Sequence, residues 1–226
     1  MTFPTVQGRT YTSWPGPTAS SSHAVTLPSS IVAGELLLVI AHTDGAITAM
    51  SASAGWTELF DSVYSTFHCM AAYWKIAEGS DSLTISYTGG SERINYCCWR
   101  ISGAKAAYAS AATTGSSDYP DPTNLNPGVG TKDFLWIAAA GYLSTGTVAY
   151  AAFPSGYSNT RNAPSSTRSG TTVHLLGVCE KESAASSENP GNFDGHVGAP
   201  SEYWIARTIA ISPASKGGAI FMGAGL

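Results

Sequence analysis

Charge is scarce in this chain. Asp, Glu, Lys and Arg make up 12% of its 226 residues, about half the usual share for a soluble domain. Eleven basic residues against 15 acidic ones leave a net charge of −4. That is no footprint for a nucleic-acid partner, which needs clustered cations. Long apolar runs are missing too: none approaches the roughly 18 to 20 residues of a membrane span, so no membrane partner is expected. Helical periodicity is almost absent. Met1-Thr2-Phe3-Pro4 shows neither the basic start nor the apolar stretch of a secretory leader, which points to synthesis in a cytoplasm. The four cysteines, Cys69, Cys97, Cys98 and Cys179, lie in apolar, strand-like runs without a C-x-x-C spacing. They are read as free buried thiols. Adjacent Cys97 and Cys98 point to opposite faces of a strand.

Chemical motifs are equally sparse. There is no G-x-S-x-G and no H-E-x-x-H. His23, His42, His68, His174 and His196 are scattered. Asp118 with Asp121, and Asn192-Phe193-Asp194-Gly195-His196, have an oxygen-rich look. Neither follows the spacing of a calcium loop, and turn chemistry accounts for both. No metal or cofactor is expected. Glycoside hydrolysis needs two acids across a cleft, whereas Glu58, Asp61, Glu180 and Glu182 alternate on strands as solvent-facing residues do. The chain is expected not to be an enzyme.

What is present is strand. Short runs rich in β-branched and aromatic residues are punctuated by Gly, Pro, Ser and Asn. Strands are predicted over 5–14, 22–27, 35–42, 56–64, 68–77, 83–87, 94–101, 134–141, 173–182 and 203–211. Leu83, Ile85 and Tyr87 share one face and Thr84 and Ser86 the other, as in a sheet with one wet side. Leu36 to Ile40 is apolar throughout and reads as a central strand. Many short strands without intervening helices indicate a sandwich or barrel. The breaker-rich stretch from Gly115 to Gly130 is either a linker or a long crossover.

The sequence repeats itself. Glu35 to Ala41 aligns with Asp133 to Ala139, Gly55-Trp56-Thr57 with Gly156-Tyr157-Ser158, His68 to Lys75 with His174 to Lys181, and Ser91-Glu92 to Ser102 with Ser201-Glu202 to Ser212. Four matches in the same order describe two related halves. A half alone is short for a core, so an all-β single sandwich of jelly-roll type, built from two pseudo-repeated halves, is the expected fold. Its parts are 1–26 (N-terminal arm and first strands), 27–213 (the sandwich, with pseudo-repeats at about 27–104 and 121–213) and 214–226 (an apolar, Gly-rich tail). The matched histidines, His68 and His174, are read as a duplicated structural position. So are Trp56 and Tyr157, as plugs of the sandwich ends.

Two groups of residues invite a functional reading. Phe3 and Trp14 near the start, and Ile220, Phe221, Met222 and Leu226 in the uncharged tail, are candidate assembly contacts, because exposed apolar ends seek cover. Trp14, Tyr119, Tyr142 and Tyr157 are candidate rings for stacking on a glycan.

Leu27-Pro28, then Ala33-Gly34-Glu35-Leu36-Leu37-Leu38-Val39, Ala54-Gly55-Trp56-Thr57-Glu58-Leu59, Tyr73-Trp74-Lys75-Ile76-Ala77-Glu78-Gly79 and Trp99-Arg100-Ile101-Ser102-Gly103-Ala104 together resemble a family of tailed-bacteriophage β-sandwich structural proteins. Asp121 to Leu125, Phe134 to Gly141, Glu188 to Gly191 and Trp204 to Ile211 continue the resemblance, which spans roughly Leu27 to Pro213. It implies a virion protein made in the host cytoplasm. The expected role is a capsid decoration (cement) or other exterior component, acting as a homo-oligomer such as a trimer on a major capsid or tail protein. The alternative is a head-fibre or tail adhesin for a host surface glycan. The resemblance carries no catalytic residues.

Overall fold

The computed structural model describes residues 2–13, 17–45, 49–64, 68–145, 149–164, 172–194 and 203–215. The described chain is all strand and connection, with no helix. In the first half, β1 (Thr5–Tyr11) pairs with β8 (Ile94–Ser102), β2 (Ser22–Val25) with β7 (Leu83–Thr88), and β3 (Leu36–Asp44) with β6 (His68–Ile76), all antiparallel. Nested pairing of this kind is one long hairpin rolled up, the defining pattern of a jelly roll. Cross-pairs of β3 with β8 and of β7 with β4 (Ala49–Ala52), and the addition of β5 (Thr57–Tyr64) beside β6, complete two sheets. Their orders are β1-β8-β3-β6-β5 and β2-β7-β4.

The second half repeats the first. β11 (Lys132–Thr145), β12 (Ser158–Pro164), β13 (Thr172–Ala185) and β14 (Trp204–Pro213) form the order β14-β11-β13-β12. That matches β8-β3-β6-β5 strand for strand. β9 (Ala104–Ala109) and β10 (Thr113–Gly115) flank β14 as β1 flanks β8. The bulge is repeated as well. Thr57 faces Trp74 and Phe60 faces Ala72 around a register shift; Ser158 faces Glu180 and Arg161 faces Val178 around another. Among the described residues only the outer sheet is reduced. In place of β2·β7 and β4·β7 stand two isolated bridges, Leu125 with Glu188 and Ala152 with Asp194.

The chain is thus an all-β sandwich of jelly-roll type made of two pseudo-repeated halves. One feature differs from expectation: the roll closes within each half instead of across both. The larger sheets then pack face to face. β8 lies on β12 and β13, β6 on β14, and β5 on β9. Because β8 corresponds to β14 and β6 to β13, this is a pseudo-twofold arrangement about β3 and β11.

Leu36, Leu38, Ile40, Trp99, Leu135, Ile137, Leu176 and Ile209 belong to the core between the two sheets. A second core, with Val39, Tyr73 and Cys98, lies under the small sheet of the first half. On the far side of the second half, Tyr142, Tyr150 and Phe193 do the equivalent work, with Gly177 leaving room for the Tyr150 ring. Cys97 and Cys98 do fall into different cores, and all four cysteines are free and buried. β1 and β2, placed above with the N-terminal arm, are integral strands of the two first-half sheets.

Four strands escape the sequence pattern: β4, β9, β10 and β12. β9 reads Ala-Lys-Ala-Ala-Tyr-Ala and β12 Ser-Asn-Thr-Arg-Asn-Ala-Pro. Neither carries the β-branched alternation that marks a strand. Both are edge strands whose partners, β14 and β13, impose the conformation.

Candidate functional site

β1 is the edge of the first large sheet, and it meets the edge of the second where β12 and β13 run. A register shift between Val6 and Gly8 precedes Arg9, which sits opposite Trp99 of β8. From β13, Glu180 enters between the sheets with only 3% of its side chain exposed. Two donors reach each of its oxygens. Arg9 Nε (2.6 Å) and Trp99 Nε1 (2.6 Å) donate to Oε1, while Arg9 Nη2 (2.5 Å) and Asn159 Nδ2 (3.0 Å) donate to Oε2. A bidentate, charge-assisted pair of this kind fixes both distance and plane. Asn159 stands in the β12 bulge with φ +50°, a conformation that Asn tolerates better than most residues. The bulge thereby delivers its amide to the carboxylate.

Arg9 is the partition between two open spaces. On one side lies a cleft of about 570 Å³ along the β1 edge, lined by Arg9, Thr10, Tyr11, Thr12, Ser13, Pro17, Thr26 and Tyr96. On the other lies one of about 310 Å³ that reaches Ser158, Asn159, Lys181 and Glu182. Tyr11 is 46% exposed, and the Arg161 guanidinium lies 5.9 Å from its ring centroid. The floor of the larger cleft is hydrogen-bonded inward. The Tyr96 amide donates to Thr12 Oγ1 (3.2 Å) and the Thr26 amide to the Tyr96 hydroxyl (3.1 Å). As acceptors in these bonds, neither hydroxyl spends its own proton on them.

The pseudo-twofold supplies an internal comparison, because β5 meets β9 on the opposite side. There Trp74 stands where Glu180 does, Ala109 where Arg9 does, and Ile209 where Trp99 does. All three pack with the central core. The cation near this side is Arg207, whose guanidinium lies 4.1 Å from the Phe60 ring centroid and donates to the Ser110 carbonyl and the Ser62 hydroxyl. Burial pushes it down to about 10.

The three glycan-stacking candidates among the described residues, Tyr119, Tyr142 and Tyr157, are not brought together. Tyr119 is 55% exposed but follows β10, at the opposite edge of its sheet from β12. Tyr142 is wholly buried. Its ring packs on Tyr150 at 6.1 Å in the outer core, so the expectation that it stacks on a ligand is corrected: β11 turns it toward that core. Tyr157 is half-buried, with the Lys181 ammonium 5.6 Å from its ring centroid and its hydroxyl donating to Glu188. Burial is the chief reason its hydroxyl is held well above the ordinary value.

Among the assembly candidates, Phe3 is half-buried just before β1. Trp14, Ile220, Phe221, Met222 and Leu226 lie outside the described residues. His174 is buried and its ring lies 6.2 Å from that of His42; the His68 side chain is outside what is described. The expectation that Glu180 faces solvent is also corrected, because it turns inward to Arg9 and Trp99.

No three His, Cys, Asp or Glu side chains gather into a metal-holding group among the described residues. Sequence reasoning missed Arg9, Tyr11 and Glu180 as a site. The available signal was the repeat itself, in which a Trp aligns with a Glu inside an otherwise apolar strand. Comparison with protein-family models, curated proteins and solved structures finds no match to this chain.

Proposed function

We propose that this protein is an exterior structural component of a bacteriophage particle, a capsid decoration protein acting through subunit interfaces. The observation that carries the reading is the tandem of jelly rolls sharing one core across a pseudo-twofold. Jelly rolls are a recurrent architecture of viral capsid domains, and the support is fold-level analogy. A neutral surface adds to it: with 12% charged residues, few charges need desolvating when subunits meet. In this reading the protein works as a homo-oligomer, a trimer in the simplest case, and gains stable attachment to a capsid or tail protein by repetition of modest contacts.

The test is quantitative mass spectrometry of purified particles from the source phage. The reading predicts the protein in the particle at a copy number that matches the capsid lattice. Absence from the particle overturns it, and a copy number matching the tail moves the protein to a tail or fibre.

A further inference from the structure

We propose that the cleft along β1 binds an acidic saccharide, with the sugar ring against Tyr11 and its carboxylate on Arg9. The inference rests on the cleft and is independent of the particle reading.

Geometry is the first argument. Glu180 engages Nε and Nη2 of Arg9, which leaves Nη1 as the donor outside the pair. The guanidinium is therefore a preorganised cation at the cleft wall, held by a buried carboxylate that Trp99 and Asn159 also fix. Preorganisation removes the ordering cost of binding.

The second argument is chemical. An exposed tyrosine offers an apolar face with a polar tip, and Thr12 and Tyr96 line the same cleft. An apolar ligand finds too little dry surface here. A bare anion uses Arg9 but gains nothing from Tyr11. A ring with one apolar face, hydroxyl edges and a carboxylate uses all three.

The third argument is the opposite side of the interface. Trp74, Ala109 and Ile209 show that the same backbone closes without a carboxylate–guanidinium pair at these positions, although the Arg207 guanidinium lies nearby. A buried ion pair is often no better for stability than apolar packing of similar volume. The fold therefore does not require Arg9 and Glu180, and a ligand for Arg9 gives them a purpose.

Isothermal titration calorimetry on the full chain tests the proposal. The probes are 3′-sialyllactose and trigalacturonate, with lactose, maltotriose and inorganic phosphate as controls. The expected result is that at least one acidic probe binds, the neutral sugars bind at least roughly tenfold more weakly, and Tyr11→Ala and Arg9→Lys each cost roughly tenfold. Thermal melts check the variants: Tyr11 is exposed, and Lys keeps a cation opposite Glu180. Three results overturn the proposal. They are no binding of either acidic probe, neutral sugars binding as well as acidic ones, and phosphate binding that matches the acidic probes and ignores Tyr11→Ala.

Discussion

On one side of the interface between the halves, β1 meets β12 and β13 around a carboxylate with four donors; on the other, β9 meets β5 around a tryptophan and an alanine. Both sides have the same strand order, the same bulge and the same registers. The comparison separates what the jelly roll needs from what this chain has added. Closure needs volume between the sheets, and Trp74 supplies it. The carboxylate–guanidinium pair is an addition on the side that opens into clefts; the other side holds a guanidinium, Arg207, that donates to uncharged oxygens. Such a pair does little for net stability while intact, yet its disruption is costly, because the remaining partner is left in a poor solvent.

The largest expected effect follows directly. Glu180→Ala strands the Arg9 guanidinium and the Trp99 indole N–H, and a loss of about 3 kcal/mol is expected in urea unfolding. Trp74→Glu, which copies the charged residue into the other side without its partner, is expected to cost about 2 kcal/mol. Adding Ala109→Arg is expected to restore roughly 1 kcal/mol of that, measured as a coupling energy in a double-mutant cycle. Absence of coupling would mean that the two sides are not geometrically equivalent.

A smaller effect separates another repeated pair, Lys75 with Asp81 at 2.7 Å and Lys181 with Glu188 at 2.8 Å. Burial alone would raise the Asp81 carboxyl. The Lys75 ammonium and the amides of Gly79 and Glu78 overcome that and hold it below its ordinary value. Its stabilisation is therefore present above the unfolded carboxylate pKa of about 3.9 and is lost as pH falls through the lower folded one. Asp81→Asn is expected to lower stability at neutral pH, on the order of 1 kcal/mol, and to flatten the acid limb of the urea midpoint plotted against pH.

The smallest expected signal is an absence of reaction. Burial pushes the Cys98 thiol up to about 12 and raises Cys69, Cys97 and Cys179 as well. Iodoacetamide at mildly alkaline pH is expected to alkylate none of the four in the folded protein and all four in denaturant, read by intact mass.

The fold was legible where hydrophobic alternation was strong. Leu36 to Ile40, Leu83 to Tyr87, His68 to Lys75 and His174 to Lys181 all lie in strands, and the repeat foretold equivalent strands in two sheets. The ladders match Leu36 to Leu135, one residue away from the sequence alignment of Glu35 to Ala41 with Asp133 to Ala139. Where the roll closes was not legible. That depends on β4, four residues long and without β-branching, and on Leu125, Ala152, Glu188 and Asp194, which pair only as single bridges. The candidate site was hidden for a different reason. Arg9 and Glu180 are 171 residues apart, and alternation along β13 says which residues share a face. It does not say that this face is covered by another sheet.

The central claim is that charge at the β1 side serves the cleft and not the fold. The most direct test rebuilds that side as a copy of the other, with Arg9→Ala, Trp99→Ile and Glu180→Trp together, and measures thermal stability and acidic-saccharide binding on one preparation. The account predicts a folded protein within about 1 kcal/mol of the parent that no longer binds. A variant that unfolds, or one that folds and binds as before, would contradict it.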